Sequence, residues 1–406
     1  MSFRIAHECP QCAAPIALEE VDRVLRCPYC GVKHFMISDG PLRLMLPHGP
    51  HAEMVYIPYI RFKGCLYTCT DSAIVSRVVD MTLRGMNMPG FPLSLGVRPQ
   101  AMTLSIARVD EPGTFLASSL SMDEVFGQAG RHTKAAGAIE HYRASIGETV
   151  SIVYQPAYVG HGRLYDAVLD RPVAPWTGPF PPVDVESGTG SPWNLTFFPM
   201  LCPRCGWDLD GERDSVVITC PNCTTMWEGG ENQLKPVEFG TAESRTPCVI
   251  YLPFWRIMVS GQGGMVPSFA EFLRVTRQPV LIRKEWEQES MAFWVPAFKI
   301  RPRLFLRVGS QLTVTHPSLR LKKVIPPSNL FPVTLPRTEA CQSLTLIVAA
   351  SAMAKSLLFP TLREIEFHAD SSALVYLPFR QSSHDLIEDH TGLTLPRKAV
   401  EWGRAL

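Results

Sequence analysis

The chain has 406 residues, with 39 basic and 38 acidic side chains, a formal net charge of +1 and 46% hydrophobic residues. That length suits two or three domains with a sizeable core, and the charge balance gives no global attraction to nucleic acid or an anionic membrane. The 36 prolines, well above the average usage of about 5%, argue against an all-helical protein and for short strands, edges and turns.

Met1-Ser2-Phe3-Arg4-Ile5-Ala6-His7 leads straight into a cysteine pair, without the apolar segment of a secretory signal. The chain is therefore expected to be cytoplasmic. Cys9-Pro-Gln-Cys12 is followed, after 14 residues, by Cys27-Pro-Tyr-Cys30. A Cys-x2-Cys turn aims two sulfurs at a common centre. Fourteen residues suffice for a hairpin that leaves and returns, so the second pair completes a tetrahedral site for one divalent ion. A segment of this size cannot build an adequate core, and the metal would supply its folding free energy.

Beyond Cys30 comes the phrase Val55-Tyr56-Ile57-Pro58-Tyr59-Ile60-Arg61, which reads as a strand whose proline belongs at an edge or bulge. Cys65 and Cys69 lie about 13 Å apart on an extended strand, too far to share a bond or an ion, and are expected to be small buried side chains. Residues 73–83 and 123–144 are the helix candidates of this half. Phe91-Pro92-Leu93 leads to Val97-Arg98-Pro99, and Val153-Tyr154-Gln155-Pro156-Ala157-Tyr158 closes the half, with His161 just beyond. A stretch with Pro172, Pro175, Pro179, Pro181, Pro182 and Pro192 and a Ser-Gly-Thr-Gly-Ser run at 187–191 has linker composition.

The series then repeats. Cys202-Pro-Arg-Cys205 and Cys220-Pro-Asn-Cys223 have the same 14-residue gap. Ile250-Tyr251-Leu252-Pro253-Phe254-Trp255-Arg256 follows, then Val295-Pro296-Ala297 leading to Ile300-Arg301-Pro302. Val375-Tyr376-Leu377-Pro378-Phe379 closes the second half, with His384 beyond. Five correspondences in one order indicate a tandem duplication. The expected fold is α+β and strand-rich: a ribbon followed by a mixed β/α body, twice. The expected divisions are ribbon 1–36, body 37–172, linker 173–196, ribbon 197–232 and body 233–406. Residues 267–277 and 350–358 are the helix candidates of the second half. From Lys299 to Arg307 basic and apolar residues alternate, as on a half-buried strand. The apolar stretch 344–360 is shorter than the roughly 20 residues of a membrane span, carries Lys355, and reads as a buried strand running into a helix.

The eight cysteines and the proline after the first Cys of each pair resemble the zinc-ribbon family. The likeness covers about 60 of the 406 residues. It implies two structural zinc ions per chain, held by Cys9, Cys12, Cys27 and Cys30 and by Cys202, Cys205, Cys220 and Cys223, with no open coordination position. Iron, which rubredoxins hold on similar knuckles with a longer gap, and disulfides are the competing uses of these cysteines. The bodies resemble uncharacterised bacterial zinc-ribbon proteins, a likeness that implies no activity.

No Gly-x-Ser-x-Gly, His-Glu-x-x-His or Gly-Lys signature is present, and Gly261-Gln262-Gly263-Gly264 reads as a turn. His384-Asp385-Leu386-Ile387-Glu388-Asp389-His390 has metal-binding residue types, but on a helix only His384 and Glu388 would share a face. A solvated end to the last strand is the preferred reading, and His161 and His384 are expected to support turns. Lys299, Arg301, Arg303, Arg307, Arg320, Lys322 and Lys323 form a run without an acid, suited to phosphate or an acidic partner, or to a solvated face. The ribbon loops argue against nucleic acid, being net −1 (Glu19, Glu20, Asp22, Arg23, Arg26) and net −3 (Asp208, Asp210, Glu212, Arg213, Asp214). The expected function is a non-catalytic scaffold or adaptor that binds a protein partner. Tyr56, Tyr59, Phe254, Trp255 and Phe379 are candidates to dock it, though most are expected in the core. The alternatives are a nucleic-acid-binding protein using the basic run, or an accessory subunit of a metal or redox enzyme.

Overall fold

The computed structural model describes residues 3–404 apart from 39, 52, 72, 89, 121–123, 125–138, 177, 181–192, 194, 231–232, 246–249, 260–265 and 327–328. The first four-cysteine module is two hairpins, β1 (Arg4–Glu8) with β2 (Pro15–Glu19) and β3 (Val24–Arg26) with β4 (Lys33–Ser38). The first body follows with β5 (Leu42–Met45), β6 (Met54–Thr70), β7 (Ile74–Arg84), the short helix α1 (Arg98–Ala101), β8 (Thr103–Ile106), β9 (Thr114–Phe115), β10 (Glu140–Gly160), β11 (Arg163–Asp166) and β12 (Arg171–Pro175). Its spine is the antiparallel pair β6–β10, which runs from Met54 opposite Tyr158 to Thr70 opposite Glu140. The body sheet reaches into the first module, because β1 pairs in parallel with β8.

β13 (Leu195–Pro199) crosses back to pair with β4, and the second module then forms its own sheet of β14 (Val217–Cys220), β15 (Thr225–Gly230) and β16 (Gln233–Val237). The second body contains β17 (Phe239–Ala242), β18 (Ile250–Val259), α2 (Phe269–Val275), β19 (Met291–Pro296), α3 (Pro302–Thr315), β20 (Leu321–Lys322), α4 (Arg337–Gln342), α5 (Leu344–Ser351), α6 (Lys355–Leu358), β21 (Ala369–Ser382), β22 (Asp385–Glu388), β23 (Thr394–Pro396) and α7 (Arg397–Gly403). Its spine is the antiparallel pair β18–β21. The molecule is thus α+β and rich in strands.

The four Tyr-x-Pro prolines do not lie on edge strands. Pro58 faces Tyr154 and Tyr56 faces Pro156 in the first spine. Pro253 faces Tyr376 and Tyr251 faces Pro378 in the second. Each proline sits where its strand changes neighbour on the other side, so its missing N–H leaves no ladder bond unmade. Pro58 lies between the end of β7 and the end of β9, and its carbonyl accepts from Gly85 N. Pro253 lies between the end of β19 and the bridge of Tyr251 to Leu330, and accepts from Ala297 N. Pro156 and Pro378 occupy the matching gaps and accept from Ala167 N and Asp389 N.

Four local expectations are corrected. Residues 74–84 form strand β7, because the β-branched Ile74, Val75, Val78 and Val79 favour the pleat and the segment continues the edge of β6. In 123–144, residues 140–144 belong to β10, and most of the rest lies outside the described residues. The run from Lys299 enters helix α3 at Pro302, since its buried Phe305, Val308, Gly309 and Leu312 follow helical spacing and Pro302 suits a first turn. The stretch 344–360 is helical except at 352–354. α5 is apolar all round because it is buried all round, and the chain becomes extended at Ala352 before α6. The candidate 350–358 is therefore two pieces. The candidate 267–277 is α2, started by an N-cap in which Ser268 Oγ accepts from Glu271 N.

The core is continuous between halves. Cys65, Tyr67, Cys69 and Ile146, at the far end of β6–β10, join the apolar cluster of the second body, and Cys65 and Cys69 are buried as expected. Tyr56, Tyr59, Phe254, Trp255 and Phe379 are fully buried.

Candidate metal centres and their surroundings

The sequence brings four thiols together twice. In each cluster all four sulfurs lie within 4.8 Å of one another. Cys9 and Cys30 Sγ are 3.8 Å apart, Cys12 and Cys27 3.8 Å, Cys202 and Cys223 3.6 Å, and Cys205 and Cys220 3.5 Å. Four sulfurs around a tetrahedral ion at about 2.3 Å stand about 3.8 Å apart, whereas disulfide sulfurs stand about 2.05 Å apart. The donor set therefore fits a metal ion and excludes disulfides. With four protein ligands, neither site leaves a coordination position for substrate.

Backbone geometry makes the knuckles. The residue after the second Cys of each pair has a positive φ: Ala13 at 55°, Gly31 at 74°, Gly206 at 73° and Thr224 at 53°. This left-handed step lets the N–H of Ala13, Gly31 and Gly206 return to the carbonyls of Cys9, Cys27 and Cys202, at 2.9, 3.0 and 2.8 Å. Local donors then stabilise sulfur charge. The N–H groups of Cys30 and Tyr29 hold the Cys27 thiol down at about 6. Asn222 Nδ2 donates to Cys205 Sγ at 3.5 Å and lowers its pKa.

The two modules dock on each other. Val24, Phe35 and Ile37 share an apolar cluster with Met200, Leu209, Ile218 and Trp227. A Cβ on Gly229 would stand 2.7 Å from Ile37 Cγ1, so the modules approach as closely as glycine allows. The Arg213 carbonyl accepts from both Arg23 N and Val24 N, and its guanidinium clasps Asp22 and Glu19. Burial pushes the Asp22 carboxyl up, against the pull of Arg213.

Other acids from the same loops tie the modules to the bodies. Glu20 is buried against the equally buried Arg61 at 3.4 Å and accepts from Ser151 Oγ at 2.6 Å, while Arg61 also pairs with Asp80 and lies over the Phe3 ring. Glu212 and Asp214 pair with Arg404 at the end of α7. Glu19, Glu20, Asp22, Glu212 and Asp214 are thus engaged internally, while Asp208 and Asp210 stay exposed, so the net sign of the loops overstates the negative charge they present. No short-range sequence signal marks the Glu20–Arg61 pair. A cavity of about 310 Å³ opens beside it, with Glu20, Asp22, Thr149 and Ser151 in its wall. Its two fully buried carboxylates are held by Arg61 and Arg213 and present no free acid or base.

The basic run is divided. Lys299, Arg301, Arg303 and Arg307 lie at the start of α3, whereas Arg320, Lys322 and Lys323 lie at β20, where Lys322 pairs with Glu243 and Lys323 with Glu238. His161 and His384 lie at the exposed turns of the hairpins β10–β11 and β21–β22. Residues 385–388 form a strand, so His384 and Glu388 share no helical face. Nor is the segment simply solvated: Glu388 is buried, and its Oε2 accepts from His390 N and Thr391 N. Gly261–Gly264 lies outside the described residues. Among the described residues, no helix is long and apolar enough to cross a membrane. Comparison of the chain with protein-family models, with curated proteins and with solved structures finds no match.

Proposed function

We propose that this chain is a non-catalytic cytoplasmic scaffold, built by tandem duplication, whose two four-cysteine modules are structural zinc ribbons and which assembles a protein complex. The observation that carries the proposal is the placement of both metal-ready sites. Each is closed by four thiols and packs into an apolar joint, Cys9 and Cys27 with the first body and Cys202 and Cys220 with the first module, and none of these cysteines lines the cavity of about 310 Å³. Eight free thiols at metal-binding spacing are the cysteine usage of a reducing compartment. The duplication is supported by the matching registers of β6–β10 and β18–β21 and by the matching carbonyl contacts of their prolines. A docking role is supported by large side chains left exposed on the knuckles: Tyr29 at 66%, Leu201 at 51% and Trp207 at 57%.

The test is affinity purification of the intact chain from its own cells, with mass spectrometry and metal analysis. Two zinc atoms per chain and a stoichiometric protein partner, lost together on Cys12→Ser with Cys205→Ser, are expected. A monodisperse monomer without a companion, or fewer than two metal atoms, overturns the proposal.

A further inference from the structure

The first turns of α3 and the C-terminal helix α7 build one basic surface from residues far apart in the sequence. Arg307 Nη2 donates to the carbonyl of Thr394, at the start of the 394–403 strip, at 2.9 Å. At the other end, a Cβ on Gly403 would fall 2.3 Å from the Lys299 carbonyl oxygen, so α7 rests directly on that backbone. Segments 299–307 and 394–403 are thus pinned at both ends and run side by side in opposite directions. Arg301, Arg303, Arg307, Arg397, Lys398 and Trp402 are all exposed along them.

Most of these cations are not neutralised. Arg301 and Arg303 have no ion pair or side-chain hydrogen bond among the described residues. Arg307 bonds only a carbonyl, and Lys398 lies 5.5 Å from the centre of the Trp402 ring. Among the described carboxylates of adjoining segments, Glu401 pairs with Arg397 at 3.2 Å, Glu212 and Asp214 are held by Arg404, and Asp385 lies opposite Pro396. The contrast with Lys322 and Lys323, each matched to its own glutamate, separates this surface from the rest of the basic run.

We propose that the α3–α7 surface, with Arg301, Arg303 and Arg307 along one segment and Lys398 beside Trp402 on the other, binds single-stranded nucleic acid. Guanidinium groups take phosphate in a bidentate manner, and an exposed indole beside cations is a platform on which a base stacks whatever its sequence. An anionic membrane fits less well, because α7 buries Val400 and leaves Trp402 as its one large apolar side chain outside, where an interfacial helix needs a whole apolar face. The surface lies on the second body, and the inference does not rest on the scaffold proposal. Its failure would leave the metal stoichiometry and the protein partner untouched.

The experiment is fluorescence anisotropy of a labelled 15-nucleotide oligo(dT) with the full metal-loaded chain, from 25 to 200 mM KCl. Binding is expected, with a log–log salt slope of about −3 for four phosphate contacts. Arg301→Glu with Arg303→Glu should weaken it at least tenfold and flatten the slope. Trp402→Ala should weaken it about fivefold or more with the slope kept, and Trp402→Phe should restore most of it. Lys322→Glu with Lys323→Glu should leave it unchanged. No binding at 25 mM KCl, an equal loss from the Lys322/Lys323 variant, or binding to phosphatidylserine vesicles but not to the oligonucleotide would each overturn the proposal.

Discussion

The two cysteine modules have one spacing and two kinds of attachment. The first is divided between sheets: β1 and β2 extend the body, β3 and β4 pair with β13, and Glu20 anchors it through a buried ion pair. The second keeps its own sheet, β14–β15–β16, sends Val217, Met226 and Val237 into the core of the second body, and meets the C-terminal helix through the partly exposed Arg404. A local motif fixes where four sulfurs meet. Residues outside it decide whether the module's strands join a body sheet or keep a sheet of their own.

Metal removal should break this comparison most visibly. Binding energy at a structural site of this kind is folding energy, on the order of 10 kcal/mol. Cys12→Ser with Cys30→Ser is expected to loosen the first module and also the β5–β8–β1 side of the first body, because β1 is one of its strands. Cys205→Ser with Cys223→Ser should loosen β14–β16 and the β4–β13 pairing while that body stays closed. Hydrogen exchange read by mass spectrometry separates the two patterns. Identical patterns would mean that the modules are attached alike.

The ion pairs sharpen the same contrast. Glu20→Ala leaves the buried Arg61 with only the part-exposed Asp80 as a carboxylate partner, a half-compensated change expected to cost about 3 kcal/mol, the low end for breaking a buried pair. Arg404→Ala removes a pair open to water and should cost about 1 kcal/mol. Urea unfolding of the two variants measures the difference, and equal losses would contradict the distinction between a buried anchor and a partly exposed one.

What the sequence discloses follows the range of the interaction. The sulfur clusters are legible because each depends on four residues at fixed local spacing. The Tyr-x-Pro phrases are legible as strands, but their central position is not, since it requires a neighbouring strand to end opposite each proline. The run from Lys299 misleads because basic residues at 299, 301, 303 and 307 satisfy both alternation and an i, i+4 face, and Pro302 decides for the helix. The docking of the modules is illegible. Glu20 and Arg61 are separated by 41 residues and Arg404 and Asp214 by 190, and nothing local marks either pair.

A smaller effect tests the knuckles. Ala13 and Thr224 adopt the left-handed conformation that Gly31 and Gly206 supply in the other pair of each module. Replacing them by glycine relieves backbone strain and adds unfolded-state entropy. Thr224→Gly should come out ahead by a few tenths of a kcal/mol to about 1 kcal/mol, and Ala13→Gly by less, since a β-branched residue is the more strained there. Thermal unfolding with metal held in excess reads the change. A loss in both would mean that the hydroxyl and methyl contacts outweigh the strain.

The smallest expected effect concerns two histidines, one in each half. His34 on β4 is buried between Leu25 and Pro199, lies edge-on to Phe197, and has no hydrogen-bond partner among the described residues at either ring nitrogen. His316 at the end of α3 has Glu289 at 3.0 Å. Burial lowers the pKa of both below 6.5, but for His316 the carboxylate opposes it. A histidine that is harder to protonate when folded contributes stability fully above 6.5, and that contribution is lost as pH falls from 6.5 toward the lowered folded value. Wild-type stability should therefore decline between pH 6.5 and 5 more steeply than that of His34→Phe, and His316→Phe should differ less from wild type. Thiol protonation and metal release act on all three proteins alike, so the differences between their urea midpoints isolate the imidazoles. If His316→Phe flattens the profile more than His34→Phe, the unpartnered ring at the junction of the modules is not the group that senses acid.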